Sequence, residues 1–149
     1  MPKKNYSSGN PNTKSDFYVE FTPAKSDGIK IDIHSTNKVL HGSKLEYISL
    51  QVITDLNIKN GKLLVIDNGG QYFVLQARIE AAVKKAYPKT LTESLPEFKK
   101  HAKYKSKADC LRRSRLYLPG NQAKLMLNAG IHKPDAIILD LEDSVALSE

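Results

Sequence analysis

The sequence predicts an α+β domain of order β-β-α-β-β-α, followed by a separate strand–helix–strand unit. Three observations predict this. Apolar and polar residues alternate in two short runs near the N-terminus, as they do in half-buried strands. Apolar residues recur at three- and four-residue steps in two later runs, as in amphipathic helices. Near the C-terminus, two strand-like apolar runs enclose a further amphipathic stretch.

The N-terminal residues predict an arm and then two strands. Residues 1–15 carry hardly any apolar side chains, so we expect them to form a flexible arm. The run F-Y-V-E-F over 17–21 places its apolar residues on one side of a strand that Pro23 ends. The run I-K-I-D-I over 29–33 alternates strictly. Because Asp27-Gly28 between them is a favourable turn pair, we expect these two strands to form a hairpin.

The first helix is predicted from the spacing of its apolar residues. Ser43 is a suitable N-cap, and the helix is expected to end near Asn60-Gly61. Its apolar positions follow steps of three and four: Leu45, Ile48, Val52, Ile53 and Leu56.

A second β-hairpin and a second helix are predicted next. The run K-L-L-V-I-D predicts a strand, N-G-G a hairpin turn, and Y-F-V-L the partner strand. Strong helix formers from Gln76 to Ala86 then predict a helix that Pro88 stops. We expect this helix to lie across an antiparallel sheet and to bury one core.

Composition indicates a globular protein. Of the 149 residues, 40% are hydrophobic and 26% are charged, which is typical of folded domains and not of disordered chains. No apolar run approaches the roughly 20 residues needed to span a bilayer, and the N-terminus has no signal-peptide core. With Cys110 as its single cysteine, the chain has no intrachain disulfide, and we expect a cytoplasmic protein.

The net charge of +7 comes from one segment. Residues 84–115 hold eleven Lys and Arg against three acidic residues, a local charge of +8, while the rest sums to −1. We interpret 88–111 as a basic linker, which is usually solvated. The alternative is a contact with phosphate or an acidic partner. Few aromatic residues interrupt the basic run, which argues against a stacking platform for nucleic acid.

The C-terminal residues indicate the beginning of a barrel. The run S-R-L-Y-L-P-G-N over 114–121 and the run A-I-I-L-D-L-E-D-S over 136–144 predict two strands. In parallel α/β barrels, chemistry gathers at the carboxyl ends of the strands. The second strand delivers three acidic residues there, and carboxylate oxygens suit Mg²⁺. A (β/α)8 barrel takes about 250 residues, so 112–149 predict the first βαβ unit of a truncated TIM barrel.

Several runs in the first domain resemble a known carrier. They are S-D-F-Y-V-E-F-T-P, G-I-K-I-D-I-H-S, L-L-V-I-D-N-G-G and V-L-Q-A-R-I-E-A-A-V. These are similar to the acyl carrier subunit of citrate lyase and, more loosely, to the carrier subunit of malonate decarboxylase. The resemblance covers residues 13–87 and implies a carrier domain at 16–87. It implies a phosphopantetheine-type arm, derived from CoA and joined by a phosphodiester to a serine just before the first strand.

The arm's attachment residue departs from the family pattern. The serine of the family falls on Lys14, which cannot form the linkage. Ser15 is therefore the candidate attachment residue, and Thr13 is the second choice. The alternative is a carrier-like domain without an arm, which serves as a docking or structural module.

The run R-R-S-R-L-Y-L-P-G-N, with P-D-A-I-I-L-D-L-E-D-S-V, resembles the start of the citrate lyase beta subunit, a barrel of the HpcH/HpaI aldolase type. The resemblance implies Mg²⁺-dependent cleavage of a 3-hydroxy acyl thioester to an acyl thioester and a 2-oxo acid. It places Arg115, Pro119, Gly120 and Asn121 near the substrate or CoA, and the acids near the metal: Asp140, Glu142 and Asp143. Alternatively, these acids accept N–H bonds at the start of the next helix.

Together the two resemblances predict a carrier fused to the beginning of a lyase barrel. The expected partners are an acyl-CoA or carrier thioester, and other lyase subunits or further copies of the chain. Since the direct metal ligands of the family come from later strands, we expect the chain alone to be inactive. We also expect 112–149 to be poorly ordered or aggregation-prone alone, because Ile137, Ile138 and Leu139 would be exposed. The rival interpretation is a non-catalytic binding module whose linker contacts an acidic partner.

Overall fold

A computed structural model describes residues 4–95, 97 and 107–145, which separate after residue 97 into two units. The expected basic linker at 88–111 lies partly outside the described residues, as do the first three residues of the expected arm and the last four of the expected barrel segment. No helix in the described part of the chain has the length and apolarity needed to cross a bilayer.

The first unit is an α+β fold, as predicted, but its elements follow the order β-β-β-α-β-α. They are β1 (Tyr6–Ser8), β2 (Phe17–Pro23), β3 (Ile29–Ser35), α1 (Lys38–Asp55), β4 (Gly61–Asp67) and α2 (Tyr72–Ala86). The strands form one mixed sheet of order β1-β2-β4-β3. β2 runs antiparallel to β1 and β4, whereas β3 runs parallel to β4 and is connected to it through α1.

The core lies between the two helices and one face of this sheet. α1 packs against β3 and α2, and α2 packs against β1 and β2. The strands contribute alternate residues, as the period-two pattern predicts, and the helices contribute the residues spaced by three and four. The fully buried members include Phe17, Val19, Phe21, Leu63, Val65, Leu75 and Ile79.

The predicted hairpin between β2 and β3 is wrong, because β4 lies between them. Asp27 and Gly28 do turn the chain, with φ values of +77° and +69°. The backbone of Gly28, however, bonds to the chain that enters β4: the Gly28 N–H donates to Asn60 Oδ1 at 3.0 Å, and the Gly61 N–H donates to the Gly28 carbonyl at 3.0 Å. Alternation identifies strands but does not select their partners.

The predicted strand Y-F-V-L is the first turn of α2. Tyr72 and Phe73 are exposed while Val74 and Leu75 are buried, so burial does not alternate there. Leu75 instead continues the helical series with Ile79 and Val83. Gly69-Gly70 is therefore a strand-to-helix loop, not a hairpin turn. Aromatic and β-branched residues favour strands locally, but packing against the sheet decided otherwise.

The first helix begins five residues before Ser43 and ends at Asp55, so Ser43 lies inside it and is not its N-cap. Asn37 occupies the N-cap position, and its carbonyl accepts the N–H groups of Leu40 and His41 at 3.0 Å. Val39 and Leu40 in this first turn are exposed. Because these apolar residues are not buried, the spacing of the buried ones did not indicate that the helix begins here.

The expected flexible arm contains β1. Tyr6–Ser8 pair with β2 through main-chain bonds, which require no apolar pattern in the sequence. Gly9 ends this strand at φ +87°, where an added Cβ would lie 2.1 Å from the Phe17 carbonyl oxygen. The chain can therefore pass this closely along β2 only with glycine at position 9.

The second unit has the predicted strand–helix–strand order. Its elements are β5 (Arg115–Pro119), α3 (Ala123–Asn128), a 3-10 turn (Ala129–His132) and β6 (Ala136–Asp140). β5 and β6 are parallel, with Leu116 opposite Ile137. Ile137 and Leu139 are 48% and 50% exposed, as expected, whereas Ile138 on the other face is half-buried. Two strands do not by themselves establish a barrel.

Glu80 of α2 holds the segment that follows this helix against the helix itself. Its carboxylate lies 2.7 Å from Lys84 Nζ and accepts the Ser94 N–H at 2.8 Å. Burial raises the pKa of Glu80, but the bonds from Lys84 and Ser94 outweigh it and hold the pKa below the ordinary 4.5. Its ionised form therefore stabilises the fold.

We expect Glu80→Gln to flatten the acid side of the stability profile. Because the folded-state pKa is lowered, this contribution is present above pH 4.5 and is lost as the pH falls through the folded-state value. Urea midpoints measured between pH 7 and pH 3 should fall less steeply in the variant. Glu93→Gln, at an exposed residue 4.0 Å from Lys84, should follow the wild-type profile. Identical profiles for Glu80→Gln and wild type would contradict this.

Candidate functional site

Ser15 lies in a turn that is tied to the loop after β4. It adopts φ +58°, is half-buried, and donates its N–H to the Asn68 carbonyl at 2.8 Å. The Asn68 side chain in turn donates to the Pro11 carbonyl at 2.8 Å. No other described residue hydrogen-bonds the Ser15 hydroxyl. The backbone here is fixed while the hydroxyl is available.

Asp16 and Arg78 form an ion pair directly beside this serine. Arg78 Nη2 lies 2.8 Å from Asp16 Oδ2, and Nε donates to Oδ1 at 3.0 Å, which makes the pair bidentate. Oδ1 also accepts the Phe17 N–H at 2.7 Å. The Asp16 side chain is only 11% exposed. Arg78 lies on α2, within the A-R-I-E-A-A-V run. The ion pair therefore connects α2 to Asp16, the residue directly after Ser15.

Three strand ends and two helix starts converge at one edge of the sheet. Since β3 and β4 are parallel, their carboxyl ends meet there, with Ser35 opposite Asp67. β2 is antiparallel to β4, so its first residue, Phe17, is also opposite Asp67. The Asp67 carboxylate accepts the Ser35 hydroxyl at 2.7 Å and the Gly69 N–H at 2.8 Å. Ligands bind at such carboxyl edges in many α/β folds.

A pocket of about 280 Å³, which we term the edge pocket, opens at this edge. His41 Nδ1 lies 3.1 Å from the Tyr72 hydroxyl across it. A Cβ on Gly70 would lie 2.6 Å from the Phe17 ring, so this wall requires glycine. The lining comes from Phe17, Asn37, His41, Leu45, Asp67 and the segment 69–72. No periodic pattern in the sequence indicates this pocket, because the pocket joins residues from four distant elements.

In the second unit, most of the expected substrate-contacting residues lie at the carboxyl end of the strand pair. Pro119 ends β5 opposite Asp140, and the Gly120 N–H donates to the Asp140 carbonyl at 2.7 Å. Asn121 follows in the turn before α3. Arg115 begins β5 at the opposite end, about 13 Å away for a rise of roughly 3.3 Å per residue. The structure therefore brings Pro119 and Gly120 to Asp140, but not Arg115.

Of the three acids expected near a metal, only Asp140 belongs to β6. The strand ends there, and both Glu142 and Asp143 lie exposed in the following turn. The Asp140 carboxylate accepts the N–H of Glu142 at 2.9 Å and that of Ser144 at 3.2 Å. The Glu142 N–H and the Ser144 hydroxyl hold the pKa of Asp140 below its ordinary 3.8.

The described residues do not form a magnesium site by themselves. Among residues 4–95, 97 and 107–145, no three His, Cys, Asp or Glu side chains come close enough together to hold a metal ion. The carboxylate of Asp140 is occupied by N–H groups of its own turn. Any metal beside these acids would need ligands from outside the described residues.

Asp135 is a structural residue that the sequence analysis did not single out. Its carboxylate accepts the N–H groups of Arg113 and Ser114 and the Ser114 hydroxyl, at 2.9 to 3.1 Å. The Ser114 bonds chiefly hold the pKa of Asp135 below 3.8. Arg112 meanwhile donates to the carbonyls of Ala108 and Cys110. Both residues fix the chain at the start of the strand pair.

Comparison with known proteins assigns the first unit. Residues 7–86, more than half of the chain, match the family model of the malonate decarboxylase delta subunit. The chain belongs to this family. The matched residues of this delta-subunit family protein include all four strands of the first unit except Tyr6. They also include both long helices, Ser15 and the Asp16–Arg78 pair.

Curated relatives of the delta-subunit region are carriers. The citrate lyase acyl carrier protein of Fusobacterium nucleatum subsp. nucleatum is 38% identical over 72 residues, which are 48% of this chain and 77% of that protein. The citrate lyase acyl carrier protein of Klebsiella pneumoniae is 33% identical over 76 residues, 51% and 78% of the two chains.

The second unit matches a different family. Residues 113–149 match the HpcH/HpaI aldolase/citrate lyase family model. The citrate lyase subunit beta of Haemophilus influenzae is 56% identical over 39 residues, which are 26% of this chain. The chain spans only 13% of the length of that relative. Both expected resemblances are therefore confirmed.

Proposed function

We propose that this chain is a component of a citrate lyase-type carbon–carbon lyase, with a carrier domain at 16–87, a basic linker at 88–111 and the start of a barrel at 112–149. The observation that carries the proposal is the presence, in one chain, of matches to two different citrate lyase subunits. Carrier and lyase handle the same thioester, so their fusion gives the substrate a high local concentration at the barrel.

The proposed carrier function centres on Ser15. Its half-buried turn and its unengaged hydroxyl fit a phosphodiester to a phosphopantetheine-type arm. The arm would bear the acyl group as a thioester, which is the chemistry such a group supplies. Asn68 and the Asp16–Arg78 pair would hold the serine while a modifying enzyme reaches it.

The proposed reaction of the whole protein cleaves a 3-hydroxy acyl thioester, such as a citryl thioester on the arm or on CoA. The bond between the hydroxyl-bearing carbon and the acyl α-carbon breaks, the hydroxyl loses its proton, and the α-carbon gains one. The products are a 2-oxo acid and an acyl thioester. Pro119, Gly120 and Asn121 lie at the end of β5 where substrate would approach, and we extend the proposal to Arg115 as an anion contact.

The dependence on Mg²⁺ is part of the same proposal. Asp140, Glu142 and Asp143 would stand beside the metal, with the direct ligands supplied by residues outside the described ones. The exposed apolar residues Ile137 and Leu139 support a further layer of protein over β5 and β6, because parallel sheets are normally covered on both faces. The partners would be other lyase subunits or further copies of this chain.

A non-catalytic docking module remains the second candidate. The observation that favours it is Lys14, which stands where the carrier family has its modified serine. In that case the domain would bind the lyase without an arm, and the basic linker would contact an acidic partner.

The intact mass of the protein from its native source separates the two candidates. We expect the mass to include one CoA-derived arm, with the adduct on Ser15 after proteolytic mapping. Because residues 1–149 alone account for 16.6 kDa, a mass far above that value would show that the polypeptide continues beyond them. An unmodified polypeptide would overturn the carrier function and favour docking.

A further inference from the structure

We propose that the edge pocket shelters the distal, uncharged end of the arm on Ser15, namely its terminal amide and thiol or thioester. This inference rests on the proposed function, because it requires an arm on Ser15. It adds a resting position for the arm within the carrier domain itself.

The edge pocket and the turn that holds Ser15 share one loop. The Ser15 N–H bonds to the Asn68 carbonyl, and the residues on either side of Asn68, Asp67 and Gly69, both line the edge pocket. The Asn68 side chain also bonds to Pro11, so one loop holds the serine's turn at two points and forms a pocket wall. These bonds therefore hold the attachment residue in a fixed position relative to the pocket.

The volume of the edge pocket limits how much of the arm can enter it. Pockets for drug-sized ligands begin at roughly 300 Å³, and the edge pocket measures about 280 Å³. It can accept a segment of the arm but not the whole of it. The remainder of the arm would span from Ser15 to the pocket mouth.

Charge selects which segment enters. The lining includes the Asp67 carboxylate and contains neither Lys nor Arg, so an anionic phosphodiester would be bound poorly. An uncharged amide and its methylene groups suit the lining better. Phe17 and Leu45 supply apolar surface, and the His41–Tyr72 pair supplies hydrogen-bonding groups. The first N–H groups of α2, which lack acceptors within the helix, can meet a carbonyl oxygen.

A second depression at the same edge differs from the edge pocket by containing a lysine. It measures about 530 Å³, and its lining includes Lys38 and His34 beside the carboxylates of Asp32 and Asp67. The Lys38 ammonium suits the phosphodiester near Ser15 better than it suits the uncharged end. If the arm's end binds there instead, amide shift changes will appear at residues 32–36 and Lys38.

The first test measures how fast iodoacetamide alkylates the arm's thiol in the arm-bearing protein. Cys110 is exposed and is the only cysteine, so Cys110→Ser leaves the arm with the only thiol. We expect alkylation about fivefold slower than that of free pantetheine, corresponding to a sheltered fraction of about 0.8. Intact mass beforehand confirms that the arm is attached.

A matched pair of variants localises the protection. Gln71 is exposed, lines the pocket, and makes no side-chain cap bond, so Gln71→Trp should obstruct the pocket mouth without unfolding the domain. Alkylation should then reach the free-pantetheine rate. Ser26→Trp, at an exposed residue that lines a depression at the opposite edge of the sheet, should keep the slow rate. Equal rates in the two variants would overturn the inference.

Amide NMR spectra of the wild-type protein, with and without the arm, give an independent test. Shift changes should extend beyond 13–17 to residues 69–72 and His41. Changes confined to 13–17, or extending to 32–36 and Lys38 instead, would overturn the inference and leave the carrier function intact. If the intact mass shows no arm, both the inference and the carrier function are overturned.

Discussion

Arg78→Met is expected to lower the free energy of unfolding by about 2–3 kcal/mol, below the roughly 3–5 kcal/mol for breaking a fully buried pair. The variant leaves the Asp16 carboxylate, whose side chain is 11% exposed, without its bidentate partner. The cost is smaller than for full burial because Arg78 is itself 37% exposed and the Phe17 N–H still donates to Asp16. Methionine preserves the apolar contacts of the arginine stem.

The measurement is urea unfolding followed by far-UV circular dichroism, which reports mainly on α1 and α2. Lys85→Met is the matched control, since Lys85 is an exposed cation on the same helix whose Nζ donates to the Ser7 carbonyl. It should change stability by less than about 1 kcal/mol. A similar effect of the two substitutions would show that the Asp16–Arg78 pair has no special role.

Ser15→Ala is expected to abolish attachment of the arm completely while leaving the fold intact. The hydroxyl is the proposed attachment atom and bonds to no other described residue, so its removal should cost little stability. The backbone bond from residue 15 to Asn68 does not depend on the side chain. Intact mass of protein expressed in the native organism would show wild type with the adduct and the variant without it.

Thr13→Ala is the control for this experiment, because Thr13 is the second hydroxyl in the same turn. It should keep the adduct. Retention of the adduct by Ser15→Ala, with loss by Thr13→Ala, would move the attachment to Thr13. Adding Lys14→Ser to the Ser15→Ala variant tests whether a serine at the family's position accepts the arm.

The local sequence correctly predicted most elements of the first unit. Phe17, Val19 and Phe21 are buried together on β2, and Leu45, Ile48 and Val52 are buried on α1, as their spacing predicted. Two of the errors fell at Tyr72, where strand-favouring residues begin a helix, and at Tyr6–Ser8, where main-chain bonds form a strand. In both places the deciding contacts come from distant residues.

The candidate site was predictable only in part. Ser15 and the acids near Asp140 could be named from the resemblances. The Asp16–Arg78 pair could not, because 62 residues separate its members and neither the alternation of β2 nor the spacing of α2 indicates a partner. The edge pocket was missed for the same reason, and its wall at Gly70 was mistaken for a hairpin turn.

Two segments of different family, and the apolar faces of their strands and helices, could be identified from local sequence, because these depend on the type and spacing of neighbouring residues. The position of β4 between β2 and β3, antiparallel to β2 and parallel to β3, became evident from the folded chain alone. That arrangement brings Ser15, Asp67 and the starts of both helices to one edge. Strand partners are selected by long-range packing and by bonds such as those of Gly28 to Asn60 and Gly61, which leave no periodic trace in the sequence.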